Sequence, residues 1–166
     1  YHLDEYRHPD GVVEVQTTIA GTDQFGALGK SIGEQMTKRD SQAAPLRVPY
    51  IIGVETASLE ELKSFCASLA TYGGAALFHM EGITPEAREM QSFTGKEKAV
   101  LTVSGQDLQH ALASLSDAQP DEVDFVSLGC PHLTIREIAR LAELLDGKRV
   151  KKEFCITTAR PTKFLA

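Results

Sequence analysis

The sharpest chemical feature of the sequence is the stretch Gly129-Cys130-Pro131-His132. It follows an apolar run at residues 123–128 and precedes a helix that is predicted to begin at Thr134. A cysteine at a strand-to-helix turn lies near the positive end of a helix dipole, which stabilises the thiolate that attacks substrates or binds metal ions. His132 can supply a proton or a hydrogen bond. The alternative is a small buried cysteine beside a histidine near the helix cap.

A second polar set, His79, Glu81 and Thr84, follows the apolar run at residues 75–79. Thr84 is the predicted cap of a helix, because a proline follows it at the first helical position. A histidine and a carboxylate close to such a start can form an acid–base or substrate-binding set. The alternative for Glu86, in the same turn, is that its charge only complements the helix dipole.

A third polar set, Thr157, Thr158 and Arg160, follows the last apolar run. Arginine binds carboxylates and phosphates through two parallel hydrogen bonds, so this set predicts a contact with an anionic substrate. An exposed arginine in a chain tail is the alternative.

The other two cysteines lie within regular patterns, Cys66 on the apolar stripe of a helix and Cys155 in a strand. Both are predicted to pack in the core.

Alternating strand and helix patterns position these three sets. Strands are predicted at residues 50–54, 75–79, 99–103, 123–128 and 154–157, and the intervening helices begin at Ser58, Thr84, Ser104 and Thr134. Strands separated by crossover helices pair in parallel, so we expect a layered α/β domain with a mostly parallel sheet of about five strands. Ligands bind beyond the carboxyl ends of such strands, which is where the three polar sets lie.

The first part of the chain is less regular. An alternating stretch at residues 12–17 predicts an edge strand. Residues 22–38 have the apolar spacing of a helix, with Thr22 or Asp23 as its cap. Three spaced glycines predict that this helix packs closely against a neighbour: Gly26, Gly29 and Gly33.

Composition narrows the classes of function. The chain has 166 residues, of which 42% are hydrophobic, and a formal net charge of -6. This charge argues against binding to nucleic acid or to an anionic membrane, and no apolar run reaches the roughly 20 residues of a membrane-spanning helix. Three cysteines without metal-finger or redox spacing predict reduced thiols and a cytoplasmic location.

The sequence also predicts how the chain is organised. We expect one compact domain, in which residues 1–47 form an N-terminal segment with one helix packed on the core and residues 48–166 form the α/β domain. Because the sequence begins at Tyr1, we expect it to be a fragment of a longer chain.

Six stretches of the sequence, taken in their order along the chain, resemble the aconitase X proteins, a branch of the aconitase superfamily. The most specific stretch is residues 123–132, which contains Cys130 and is followed by a capped helix. Five weaker stretches support it by their order along the chain, at residues 6–10, 25–29, 48–51, 79–87 and 156–160. The resemblance implies that the chain is an internal part of the family's large, catalytic subunit.

The resemblance further implies an iron–sulfur hydro-lyase that removes water from a small hydroxy acid, such as cis-3-hydroxy-L-proline or mevalonate 5-phosphate. Cys130 would be one of three cysteine ligands to the cluster, and an iron with an open position would act as a Lewis acid. The other two ligands have no counterpart here, so we expect the isolated chain to hold no cluster and to be inactive. Other domains of the large subunit and a small swivelling subunit or domain would complete the enzyme. The implied site residues are catalytic His79, Glu81 and His132 and substrate-binding Thr84, Thr157, Thr158 and Arg160.

The residue types alone are also compatible with two other functions. The chain can be a self-contained enzyme, with Cys130 as nucleophile and His132 as base. It can also be a non-catalytic module that binds a small anion or packs against a neighbouring domain. Retained function after substitution of both residues would favour the module.

Overall fold

The chain divides into two compact units, residues 1–115 and residues 116–166. The computed structural model describes residues 3–38, 46–90, 100–117 and 122–166. In both units parallel strands alternate with helices, so the predicted α/β class and the parallel pairing are confirmed. The described strands form one sheet of four strands and one of two, where a single sheet of about five was expected.

The first unit is built on a four-stranded parallel sheet with the order β3-β2-β1-β4. Its strands are β1 (Gly11–Val15), β2 (Pro49–Ile52), β3 (His79–Met80) and β4 (Leu101–Val103). Its α-helices are α1 (Thr22–Thr37), α2 (Leu59–Gly73) and α3 (Gly105–Ala113), and 3₁₀ helices span Asp4–Tyr6 and Glu86–Arg88. Residue 99, the first of the strand predicted at 99–103, lies outside the described residues.

Strand β1 lies inside the sheet, so the prediction of an edge strand was wrong. It pairs with β2 through Val12 and Tyr50 and with β4 through Val13 and Leu101. Val13 is 0% exposed, and Glu14 interrupts an otherwise buried strand. A strand's place in the sheet depends on which distant strands pair with it, and the local alternation of residues does not contain that information.

Helix α1 packs closely on α2 at its glycines, as predicted. A Cβ atom at Gly29 would lie 2.6 Å from the carbonyl oxygen of Phe65. A Cβ atom at Gly33 would lie 2.7 Å from the backbone nitrogen of Gly73. Any larger residue at these two positions would force the helices apart.

Two helices of the first unit begin at the predicted serines. Each serine forms a capping box, in which it exchanges hydrogen bonds with an acidic residue: Ser58 with Glu61 and Ser104 with Asp107. Helix α1 begins differently, because its cap is Gly21 and neither Thr22 nor Asp23 caps it through a side chain. The backbone N–H of Gly21 donates instead to Oε1 of Glu61 at 2.7 Å. One carboxylate therefore serves the starts of both α1 and α2.

The region after α2 contains less regular structure than predicted. The strand expected at residues 75–79 is reduced to His79–Met80, which pairs with Tyr50 and Ile51. The helix expected to begin at Thr84 is a single 3₁₀ turn, Glu86–Arg88. Gly74 ends α2 in the left-handed conformation, and its N–H donates to the carbonyl oxygen of Ala70.

The second unit is a βαβ arrangement followed by a short helix. Its elements are β5 (Phe125–Leu133), α4 (Ile135–Leu145), β6 (Glu153–Thr158) and α5 (Arg160–Leu165). Helix α4 begins at the predicted Thr134, which forms a capping box with Glu137. None of the described residues of this unit is buried.

The predictions that Cys66 and Cys155 pack in the core were wrong, because both side chains are exposed. Cys66 directly follows Phe65 on α2, but Phe65 is 0% exposed whereas Cys66 is exposed. Cys155 lies on a strand of the unit in which no described residue is buried. Over the described ranges, no helix combines the length and the apolar character needed to cross a membrane.

The predicted boundary between residues 47 and 48 falls inside the first unit. Strands β1 and β2 lie on either side of it and pair directly through Gly11 and Pro49. The carboxylate of Asp10 also accepts a hydrogen bond from the N–H of Val48 at 3.0 Å. Since β1, α1 and β2 form one βαβ unit, the N-terminal part belongs to the sheet, and the chain divides between residues 115 and 116.

Candidate functional site

His79 lies in the buried interior of the first unit. It is 1% exposed, and its Nε2 atom lies 2.7 Å from the backbone carbonyl oxygen of Arg7. Because a carbonyl oxygen can only accept, the N–H at Nε2 of the ring donates this bond. The ring thereby ties β3 to the segment before β1, which is a structural role in addition to the catalytic one predicted for it.

Thr84 and Glu81 both belong to the turn after β3. The Thr84 hydroxyl oxygen accepts from the N–H of Met80 at 2.9 Å, so this side chain closes the turn. The N–H of Glu81 donates to the carbonyl oxygen of Ile51 at 2.9 Å and extends the pairing with β2. Burial, and secondarily the nearby Glu81 charge, raises the pKa of Tyr50, which keeps that phenol protonated.

An ion pair between Arg7 and Glu86 accompanies this turn, and the sequence analysis did not predict it. The guanidinium binds both carboxylate oxygens, with Nε donating to Oε2 at 3.2 Å and Nη2 donating to Oε1. Glu86 is the first residue of a 3₁₀ helix, and it also pairs with an arginine that is distant in the chain. One feature of the sequence could have drawn attention to Arg7: it lies in residues 6–10, one of the stretches that carry the family resemblance.

A cavity of about 240 Å³ opens beside these residues. The predicted residues His79 and Thr84 line it together with Glu86 and the apolar residues 76–78. Strand β3 and the turn after it thus bring three polar side chains of the first unit to one concave surface. Glu81 is half-buried in the same turn but does not line this cavity.

In the second unit, the stretch around Cys130 leaves the strand pairing. Leu128 is in register with Ile156, and pairing resumes between Leu133 and Thr158. Four residues of β5 therefore stand opposite one residue of β6 and form a bulge. The stretch lies within the bounds of β5, where a turn after the strand was expected, because the strand resumes pairing before α4 begins.

Backbone contact between the two strands fixes the start of this bulge. Gly129 has φ +126°, and a Cβ atom there would lie 2.2 Å from the carbonyl oxygen of Thr157. Only glycine fits this backbone position. The peptide bond between Cys130 and Pro131 is cis, and the Cys130 side chain is exposed.

The other predicted residues of the second unit lie at the same carboxyl ends of the two strands. The hydroxyl of Thr158 donates to the carbonyl oxygen of Leu133 at 2.6 Å, which fixes the end of the bulge. His132 and Thr157 are exposed. Arg160 is the first residue of α5 and is also exposed. The structure therefore gathers Cys130, His132 and the third polar set at one edge of the second unit.

These side chains do not form a complete metal site. Within the described residues, no group of three or more His, Cys, Asp or Glu side chains could hold a metal ion. An exposed thiol on a bulge can still serve as a single ligand, because thiolates bind iron and a projecting loop leaves the sulfur accessible.

Comparison with known families matches both units. The family model described as "Aconitase X second domain" matches residues 9–113, and the one described as "Aconitase X third domain" matches residues 123–166. These limits correspond to the division of the structure between residues 115 and 116.

Individual relatives agree with this assignment. The phosphomevalonate dehydratase large subunit of Methanosarcina mazei is 34% identical over 160 residues, covering 96% of this chain and 36% of that protein. The cis-3-hydroxy-L-proline dehydratase of Pseudomonas aeruginosa is 34% identical over 166 residues, covering 96% of this chain and 27% of that protein. The crystal structure of Thermococcus kodakaraensis aconitase X in its holo-form superposes with a TM-score of 0.80 at 32% identity, over 99% of this chain and 40% of that one. The chain thus spans well under half the length of these relatives.

Proposed function

Because the chain belongs to the aconitase X family, we propose that it is part of the large subunit of a dehydratase that removes water from a small hydroxy acid. The proteins that it resembles are named phosphomevalonate dehydratase and cis-3-hydroxy-L-proline dehydratase. Mevalonate 5-phosphate and cis-3-hydroxy-L-proline are therefore the two candidate substrates. Because several relatives are named large subunits, we also propose that other domains and a small subunit or domain complete the enzyme.

The proposed cofactor is an iron–sulfur cluster, with Cys130 as its ligand from this chain. The supporting observation is the exposed Cys130 thiol on a bulge that Gly129 and Thr158 hold at the strand ends. Since the described residues contain no group of three or more His, Cys, Asp or Glu side chains that could hold a metal ion, the remaining ligands are proposed to lie in other parts of the protein. When bound, the cluster supplies a Lewis-acidic iron for the hydroxyl group that leaves.

The other residues of the second unit have roles that follow from their exposure. Arg160 is proposed to bind the substrate carboxylate or phosphate, since a guanidinium offers paired donors to such groups. His132 is proposed to exchange a proton near the sulfur, and Thr157 to donate a hydrogen bond from its exposed hydroxyl. Thr158 positions the bulge, because its hydroxyl already donates to Leu133.

Of the predicted site residues of the first unit, one positions the backbone and two are proposed to transfer protons. Thr84 positions the turn after β3 through its bond to Met80. His79 and Glu81 stay candidates for proton transfer, with His79 also anchoring the fold through Arg7.

The test uses the full-length large subunit together with its small subunit. We expect the parent protein to contain iron, to absorb visible light and to dehydrate one of the two substrates. Cys130→Ser should lose most of the iron and the activity, whereas Cys155→Ser, which changes another exposed thiol of the same unit, should keep both. A Cys130→Ser protein with the parent's iron content and spectrum would exclude Cys130 as a ligand.

A further inference from the structure

The imidazole ring of His79 has one nitrogen with no hydrogen-bond partner among the residues that the structure describes. The other nitrogen, Nε2, donates to the carbonyl oxygen of Arg7 at 2.7 Å, and the ring makes no second hydrogen bond or ion pair with those residues. A neutral imidazole whose proton lies on Nε2 carries its available lone pair on Nδ1. Nδ1 is therefore the basic atom of this side chain.

This basic atom is open to the cavity of about 240 Å³ beside β3, which His79 lines. In the described ranges of the chain, every fully buried side-chain nitrogen or oxygen atom has a hydrogen-bond partner. Since Nδ1 has none, it is not fully buried, and the 1% of His79 that is exposed includes this atom. A molecule in the cavity can therefore reach Nδ1.

The other polar side chains that line the cavity are already bonded within the protein. The hydroxyl of Thr84 accepts from the N–H of Met80 at 2.9 Å and donates to the carbonyl oxygen of the same residue at 3.3 Å. Both carboxylate oxygens of Glu86 accept from Arg7. The remaining described residues of the lining are apolar: Ala76, Leu77, Phe78 and Pro85. Within this described lining, Nδ1 of His79 is thus the polar side-chain atom left to meet a ligand.

Contacts on both sides of its carbonyl group hold Arg7 in place. Its backbone N–H donates to the carbonyl oxygen of Asp4 at 2.9 Å, at the end of the first 3₁₀ helix, and its guanidinium binds Glu86 beyond the turn after β3. The carbonyl oxygen can only accept a hydrogen bond, so a proton on Nδ1 instead of Nε2 would set two lone pairs against each other. The position of this carbonyl therefore determines which ring nitrogen carries the proton.

We infer that Arg7 is a positioning residue for His79. Its carbonyl oxygen keeps the ring proton on Nε2, and its ion pair with Glu86 keeps that carbonyl in place, so that Nδ1 accepts a proton from a molecule in the cavity. Uptake of that proton converts the ring to an imidazolium, which returns the proton to water. The inference rests on the proposed function, since it names the atom of His79 that transfers the proton in the proposed dehydratase. All the groups that it uses belong to the first unit.

The first experiment separates the basic atom from the bond to Arg7. In His79→Gln the side-chain amide offers an N–H close to the place of Nε2 and has no basic nitrogen. In the full-length large subunit with its small subunit, we expect the kcat to fall at least about 100-fold, with a KM and a melting temperature close to the parent's. His110→Gln changes an exposed histidine of α3 and should keep the parent's kcat. An unchanged kcat in His79→Gln would overturn the inference.

The second experiment reads the position of the ring proton directly. Nitrogen-15 NMR of the same assembly, labelled at histidine, gives the tautomer of His79, whose signals are identified by their absence in His79→Gln. We expect the proton on Nε2 in the parent and both tautomers in Arg7→Gln, with a kcat about tenfold lower. Arg7→Lys, which can still pair with Glu86, should recover most of both. Arg88→Gln, at an exposed arginine of the same 3₁₀ helix as Glu86, is the control and should match the parent.

The two readouts distinguish this inference from the proposed function, because the NMR signals do not depend on turnover. A parent that dehydrates neither substrate but shows the expected tautomers would overturn the dehydratase and support the positioning by Arg7. An active dehydratase with the proton on Nδ1, or with the same tautomer in Arg7→Gln as in the parent, would overturn the inference and leave the proposed function supported.

Discussion

The Nε2 atom of His79 lies 2.7 Å from the backbone carbonyl oxygen of Arg7, 72 residues away in the chain. The bond joins the edge strand β3 to the segment that precedes β1. The side chain of Arg7 continues the connection, because it pairs with Glu86 just after the same strand. The N-terminal segment is therefore attached to β3 and the turn after it, which together carry three of the predicted site residues.

His79→Ala is expected to lower the free energy of unfolding of the first unit by about 2 to 3 kcal/mol, because it leaves a buried carbonyl without its partner and opens a void. Denaturant unfolding monitored by circular dichroism would measure the change. His110→Ala removes an exposed histidine of α3 and should change stability by less than about 0.5 kcal/mol. Equal stability of the two variants would show that the bond to Arg7 contributes nothing.

The stability of the first unit is expected to depend on Glu61 at acid pH. Hydrogen bonds from the backbone and side chain of Ser58, and from the N–H of Gly21, hold the pKa of Glu61 below its ordinary value of 4.5. A carboxyl group whose pKa is lower in the folded state stabilises the fold above its ordinary pKa and loses that contribution as the pH falls through the folded value.

Glu61→Gln should therefore cost about 1 kcal/mol at neutral pH and flatten the decline of stability below pH 4.5. Thermal unfolding measured between pH 3 and pH 7, over roughly the range in which carboxylates titrate, would check this. Glu5→Gln, an exposed residue of the first 3₁₀ helix, should keep the parent's pH dependence. Parallel curves for the parent and Glu61→Gln would contradict the expectation.

Gly129→Ala is expected to disrupt the bulge that carries Cys130. Its Cβ atom would lie 2.2 Å from the carbonyl oxygen of Thr157, so the strands must separate, at a cost of about 2 to 4 kcal/mol. Gly147→Ala is the matched control, because Gly147 also has a positive φ but has nothing within 4 Å of the added atom. It should cost only about 1 kcal/mol. Amide hydrogen exchange in β6 would distinguish the two, and equal protection would argue against a close approach at Gly129.

Gly33→Ala is expected to destabilise the contact between α1 and α2. The added Cβ atom meets the backbone of Gly73 at 2.7 Å, and the helix backbone cannot yield locally, so we expect a net loss of about 1 to 3 kcal/mol. Gly26→Ala gains the same helix propensity, but its nearest neighbour is the Ser64 hydroxyl oxygen at 3.0 Å. Since that side chain can move, Gly26→Ala should be close to neutral. Equal melting temperatures for the two variants would contradict this packing.

Local patterns predicted the elements that local interactions form. The three boxes that begin at Ser58, Ser104 and Thr134 need only residues three positions apart, so the sequence contains their whole cause. The close packing of α1 followed from its glycine spacing. The exposure of Cys66 did not follow, because an apolar stripe does not specify which of its marginal members turn toward solvent.

The candidate site could be predicted from the sequence only in part, like the fold. The residues of the second unit were placed at strand ends from sequence, and the structure brings Cys130, His132, Thr157, Thr158 and Arg160 to one edge. The ion pair of Arg7 with Glu86 was not predicted. It depends on segments that are far apart in the chain and become neighbours only through the order of the strands.

The sequence alone determined the alternation of strands and helices, the helix starts at Ser58, Ser104 and Thr134, and the family resemblance, because each is recorded in residue types at short spacing. The tertiary structure alone decided that β1 is an interior strand, that the chain divides after residue 115, and that His79 is tied to Arg7. These features arise from pairing and packing between distant segments. Their free energy depends on which surfaces meet, and no local pattern specifies that.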